Sequence, residues 1–189
     1  EEVSERPARN YLLRWRYSQS RESKSLEERQ KDTKSGFKSN NFVILKSLFA
    51  THPFDETLTS YGHEDTLFGY QLRKAGIKFM HLDNPVLNSN LDENDHFLVK
   101  TKEALQNLLL ISFRLQDPQF ITEHQLLSLA LKIERNLIFH SSFKLFQRIF
   151  LPMMTTCLRK GYFTLWMFDL YRLSHLIDYL GDYRKNKLF

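Results

Sequence analysis

Residues 54–72 read FDETLTSYGHEDTLFGYQL, and the centre of this stretch is Tyr61-Gly62-His63-Glu64-Asp65. Tyr61-Gly62 reads as a turn, because glycine accepts backbone angles that other residues resist. Beyond it Leu67, Phe68, Leu72 and Ala75 recur at helical spacing, and Gly76 stands where a glycine ends a helix. Glu64 and Asp65 therefore fall in or just before a first helical turn. Unpaired N–H groups and the helix dipole favour negative charge there. Such a pair suits a group that must accept a proton. It equally suits plain capping, since acidic residues favour helix N-termini in general.

The chain around this centre carries further blocks in order. NNFVILKSLF occupies residues 40–49, FDETL residues 54–58, YGHEDTLFGYQL residues 61–72 and HLDNPV residues 81–86. Taken together the series resembles the C-terminal half of the catalytic domain of family 2 glycosyltransferases of the GT-A fold, bacterial members especially. The resemblance continues through residues 91–110, and again in FDLYRL at 168–173. It implies an α/β fold. Residues 1–95 would be the acceptor-side half of a GT-A sheet-and-helix domain, and residues 96–189 an α-helical C-terminal extension. It also implies that Asp65 is the general base of an inverting transfer and that Glu64 orients the acceptor.

Other site residues follow from the same resemblance. In the enzymes resembled, the segment just before the run at residues 42–45 lies by the donor sugar, so Asn40 and Asn41 become candidates for hydrogen bonds to its hydroxyls, although asparagines also serve turns. Tyr61, Gly62 and His63 would contact substrate. Arg14 and Arg16, with Arg21, are candidates for the donor diphosphate; they sit in RNYLLRWRY at residues 9–17, where Arg alternates with aromatics. An amphipathic segment with Leu12, Leu13 and Trp15 partly buried explains that pattern as well. The resemblance further implies a divalent metal, Mg²⁺ or Mn²⁺, held in part by a histidine. This chain has Asn88 at that position, whose amide oxygen serves a hard cation better than a transition metal.

Local patterns give expectations of their own. Residues 42–45 are an apolar run that reads as a short buried strand, and residues 46–50 as the start of a helix. Residues 77–83 alternate enough for a second strand, ended by Pro85. Residues 18–36 are polar and read as a solvated loop, except that Ser25 and Glu28 have the spacing of a capping box. Long helices follow residue 95. One stripe runs from Val99 to Ser112 and ends near Asp117-Pro118, and another covers residues 122–140. Pro152 and Gly161 are expected to interrupt the aromatic stretch beyond.

At 189 residues, with 42% hydrophobic and 26% charged side chains, the chain holds enough apolar material for a core. Cys157 is its only cysteine, so no internal disulfide forms, as suits a reducing compartment. Net charge is −1 over residues 1–95 and +6 over residues 96–189. Such a basic surplus suggests nucleic acid, but no nucleic-acid motif accompanies it. Residues 135–168 contain five Lys and Arg and no acid, interleaved with aromatics. Residues 135–180 fit a helical bundle with an aromatic core and a charged rim, or an interfacial face on an anionic membrane.

The expected activity is transfer of a sugar from a nucleotide sugar to a saccharide or lipid-linked acceptor, in the cytoplasm or at the inner membrane face. The rival expectation is a non-catalytic helical module that docks a partner or membrane. The first residue is Glu1, and neither an opening Val/Ile-rich strand nor an Asp-x-Asp motif is found. The nucleotide-sugar half is thus expected upstream, and this chain alone is expected to be inactive.

Overall fold

A computed structural model describes residues 5–31, 37–84, 86 and 91–185. They form α1 (Leu12–Tyr17), α2 (Leu26–Lys31), α3 (Lys46–Thr51), α4 (Glu64–Lys74), α5 (Asn94–Leu115), α6 (Pro118–Glu123), α7 (Gln125–Arg135), α8 (Leu137–Arg159) and α9 (Leu165–Lys185). Two of the three long helices, α5 and α9, pack along each other. Helices α7 and α8 close on α9, and α1 and α6 close on α5. Apolar residues at 97, 98, 105, 108, 109 and 111 give α5 a buried side that faces both of its neighbours.

Two cores result. One joins Leu67 and Tyr70 of α4 to Leu105 and Leu109 of α5, Leu127 of α7 and Leu176 of α9. The other brings Leu12 and Leu13 of α1 together with Phe97, Met154, Leu158, Phe168 and Tyr171. Residues from both ends of the chain therefore share one interior.

The expectation of an α/β sheet-and-helix domain is overturned: the described residues contain no strand and form a helical bundle. Residues 42–45 and 77–83 run outside any helix but make no ladder. Their apolar character is not burial, because Val43 is 99% exposed and Leu45 73%. Side chains hold these segments instead. Phe68 of α4 stacks on Phe54 at 4.2 Å, and Phe37 and Phe42 pack around it at 5.1 and 6.3 Å. The Asn41 amide donates to the Asn84 carbonyl at 2.9 Å, and the Arg29 guanidinium to the Leu82 carbonyl at 3.2 Å. Aromatic packing replaces the backbone pairing that a sheet would supply.

Helix ends follow local chemistry. The backbone N–H of Gly76 donates to Arg73 at 2.9 Å and that of Ile77 to Leu72 at 3.0 Å, with Gly76 at φ 77°. This is the paired closure that a left-handed glycine permits. Ser25 and Glu28 bond each other's backbone N–H groups, as a capping box does. The stripe expected over 122–140 is not one helix. The Asn136 side chain accepts from the N–H groups of Ile138 and Phe139 and starts α8 anew. Pro152 does not interrupt α8 as expected. It lies inside the helix at an exposed position, and Arg148, whose carbonyl it leaves without its helical donor, is exposed as well.

Candidate functional site

Helix α4 presents the acidic pair, and three devices fix where it points. At its far end the Tyr70 hydroxyl donates to Asp117 at 2.6 Å, and Arg73 pairs with Glu123 at 2.7 Å, binding α4 to the start and end of α6. The hydroxyl and Lys74, 3.1 Å away, hold Asp117 down at about 2, while burial and Asp117 push Tyr70 up. At the near end Gly62 has φ 95° and His63 φ 68°, a left-handed pair that delivers the chain into the first turn. Gly62 lies so close to α5 that an added Cβ would stand 2.6 Å from the Cβ of Ala104.

The buried Asn107 side chain completes the arrangement by donating to the carbonyls of Ser60 at 2.7 Å and Gly62 at 3.0 Å. In front of α4 opens a cavity of about 1040 Å³. It is bounded by α1, α4, α5, α9 and the two non-helical segments. Asp65 and Glu64 line it, together with Tyr61, Gly62 and His63 of the turn, Asn40 and Asn41 of the segment before α3, and Arg14 of α1.

Asp65 is 18% exposed and faces the Lys38 ammonium at 3.8 Å. Its carboxylate also accepts from the Thr66 hydroxyl at 3.3 Å. That hydroxyl lies 3.2 Å from Nδ1 of His63, so in the Nδ1–H tautomer the imidazole donates to it. Burial drives His63 down to about 3, with His124, Arg172 and Lys38 adding to the effect, so the ring is neutral at pH 7. Glu64 keeps one carboxylate oxygen, Oε2, buried with no hydrogen-bond partner.

Not every expected residue belongs here. Arg16 does not line the cavity: its guanidinium donates to the Phe163 carbonyl at 3.3 Å and lies over the Phe163 ring. Arg14 lines it, but is bound to Glu22 at 2.5 Å. Arg21 pairs with Asp169 at 2.8 Å. Asn88 lies outside the described residues. Among the described residues no three His, Cys, Asp or Glu side chains converge as metal ligands, and Asp65 faces the Lys38 ammonium.

The structure adds residues that sequence reasoning missed. Lys38, Lys24, Arg29, Lys78 and Arg172 line the same cavity, against Glu22 as the one further acid among the described residues. Arg172 lies over the Tyr17 and Phe168 rings at 5.6 and 5.8 Å. Its place in the FDLYRL block was the available signal. For Asn107 the signal was a polar residue within the apolar stripe of α5. Comparison with protein-family models, with curated proteins and with solved structures returned no match.

Proposed function

We propose that the cavity in front of α4 is the acceptor side of an inverting glycosyl-transfer centre of the family 2 kind. In this reading Asp65 takes the proton from an acceptor hydroxyl. The freed oxygen bonds to the anomeric carbon of a nucleotide sugar as the carbon–oxygen bond to the diphosphate breaks. The diphosphate leaves with the electron pair, and the configuration at the anomeric carbon inverts. Glu64 orients the acceptor, and Asn40, Asn41 and Tyr61 offer hydrogen bonds to sugar hydroxyls.

The observation that carries this reading is convergence. Eight residues named from separate sequence blocks, Arg14, Asn40, Asn41, Tyr61, Gly62, His63, Glu64 and Asp65, border one cavity. The lysines and arginines around it supply positive charge of the sign a departing diphosphate needs. The acceptor is a saccharide or a lipid-linked saccharide, and the reading carries a cytoplasmic location.

Turnover of a panel of nucleotide sugars by the full-length protein tests it. Asp65→Asn is expected to lower turnover by roughly 10²–10⁴-fold, the usual worth of general-base assistance, with helix content and unfolding midpoint unchanged. Turnover within a few-fold of the parent protein would remove Asp65 from the role.

A further inference from the structure

The outward side of α8 takes no part in the cavity. Ile138, Leu145, Ile149 and Met153 follow one another at helical intervals and are 77%, 62%, 59% and 55% exposed. Leu137 and Phe139 add two more exposed apolar groups at the first turn. Gln147, Met154 and Leu158 occupy the opposite, buried side, so the outward stripe is surplus to the core.

The charge around this stripe has one sign. Residues 135–168 contain five Lys and Arg and no Asp or Glu. Lys144 and Arg159 are committed to Asp178 and Asp95 from neighbouring helices. Arg135, Arg148 and Lys160 make no ion pair among the described residues. Past the end of α8, Tyr162 and Trp166 are also largely exposed, as aromatic groups at a water–lipid boundary are. No helix among the described residues is long and apolar enough to cross a membrane.

We infer that α8 lies along the surface of an anionic lipid bilayer, with Ile138, Leu145, Ile149 and Met153 at the acyl boundary and Arg148 among the headgroups. An apolar stripe bordered by unpaired cations is how an interfacial helix gains both hydrophobic and electrostatic attraction. A second copy of the chain fits this face poorly, because pairing it with itself brings the cations of two α8 helices together with no acid of α8 between them.

Co-sedimentation with vesicles of phosphatidylcholine, alone or mixed with phosphatidylglycerol, tests the inference. The protein is expected to bind the mixed vesicles and to be released as salt rises. Ile149→Asp is expected to weaken that binding by about tenfold or more, and Arg148→Glu by about tenfold, with circular dichroism unchanged. Lys31→Glu on α2 serves as the charge-matched control and should leave binding as it is. Equal sedimentation with both vesicle types, or binding untouched by both α8 variants, would overturn the assignment. So would light scattering that shows a dimer dissolved by Ile149→Asp, since the face would then belong to a second copy. None of these readouts depends on sugar transfer.

Discussion

The Asn107 amide on α5 donates to the Gly62 carbonyl across 3.0 Å and to that of Ser60 across 2.7 Å. One buried side chain thus satisfies two carbonyls of the turn that aims Glu64 and Asp65. Replacement by leucine or alanine leaves both acceptors without their donor, a loss of about 1–3 kcal/mol. Asn107→Asp is expected to be worse than Asn107→Leu, because a carboxylate would face two carbonyl oxygens. Urea unfolding midpoints check the order, and a midpoint unchanged in Asn107→Leu would mean the turn is held by something else.

Gly62 gives a second test of the same contact. Alanine there meets a left-handed backbone angle and the Cβ of Ala104, costing about 2–4 kcal/mol together. Only the second part depends on α5. In a double-mutant cycle with Ala104→Gly, the steric part should return as a coupling energy of roughly 1–3 kcal/mol. A coupling near zero would show that the turn does not press on α5.

Phe68 is the centre of the ring cluster that takes the place of a sheet. It is fully buried and lies against Phe37, Phe42, Phe49 and Phe54. Phe68→Ala is expected to cost about 3–5 kcal/mol. It should also raise protease cleavage within residues 37–45 and 77–84, which have no backbone ladder to hold them. Cleavage rates equal to the parent protein's would mean those segments are secured by other contacts.

How far the fold was legible turns on whether the decisive interaction was local. The ends of α4 and the capping box of α2 were readable because Gly76, Ser25 and Glu28 act within a turn of their own positions. Asp117-Pro118 reads as the end of the preceding stripe, whereas it also starts α6, the aspartate accepting from the Gln119 N–H. A strand is different: residues 42–45 and 77–83 carry strand-like patterns, but a ladder needs a partner segment, and periodicity says nothing about one. Apolar runs without partners become non-helical segments anchored through Phe42 and Phe79. Asn136 shows a local signal overlooked, since an asparagine ahead of an apolar run is a helix start in its own right. Within the site, the motif marked the acidic pair and its turn. Lys38 and Asn107 reach it across the fold, and no spacing rule connects them to residue 65.

Three histidines make stability depend on pH with one sign: His63, His175 and His124, the last lowered chiefly by burial as well. His63 has an ordinary value of 6.5 in the unfolded chain and about 3 in the fold, chiefly through burial. His175 is lowered to about 4, again chiefly by burial, with Lys102 adding and Asp178 opposing. Below pH 6.5 the unfolded chain therefore holds protons that the folded chain does not, and stability rises with pH across that window. Above about 6.5 the contribution is fully kept. Acidification from pH 7 to 5 is expected to remove on the order of 1–2 kcal/mol for each of His63 and His175, with His124 acting in the same direction. Asp117, held at about 2 by Tyr70, Gln119 and Lys74, loses its share only at lower pH, so the two effects separate. His63→Asn keeps a residue that tolerates the left-handed angle and removes one of the three lowered imidazoles. The slope of unfolding free energy between pH 5 and 7 should then fall by roughly a third to a half. A slope as steep as the parent protein's would mean that the His63 ring is already charged, or open to water, in the fold.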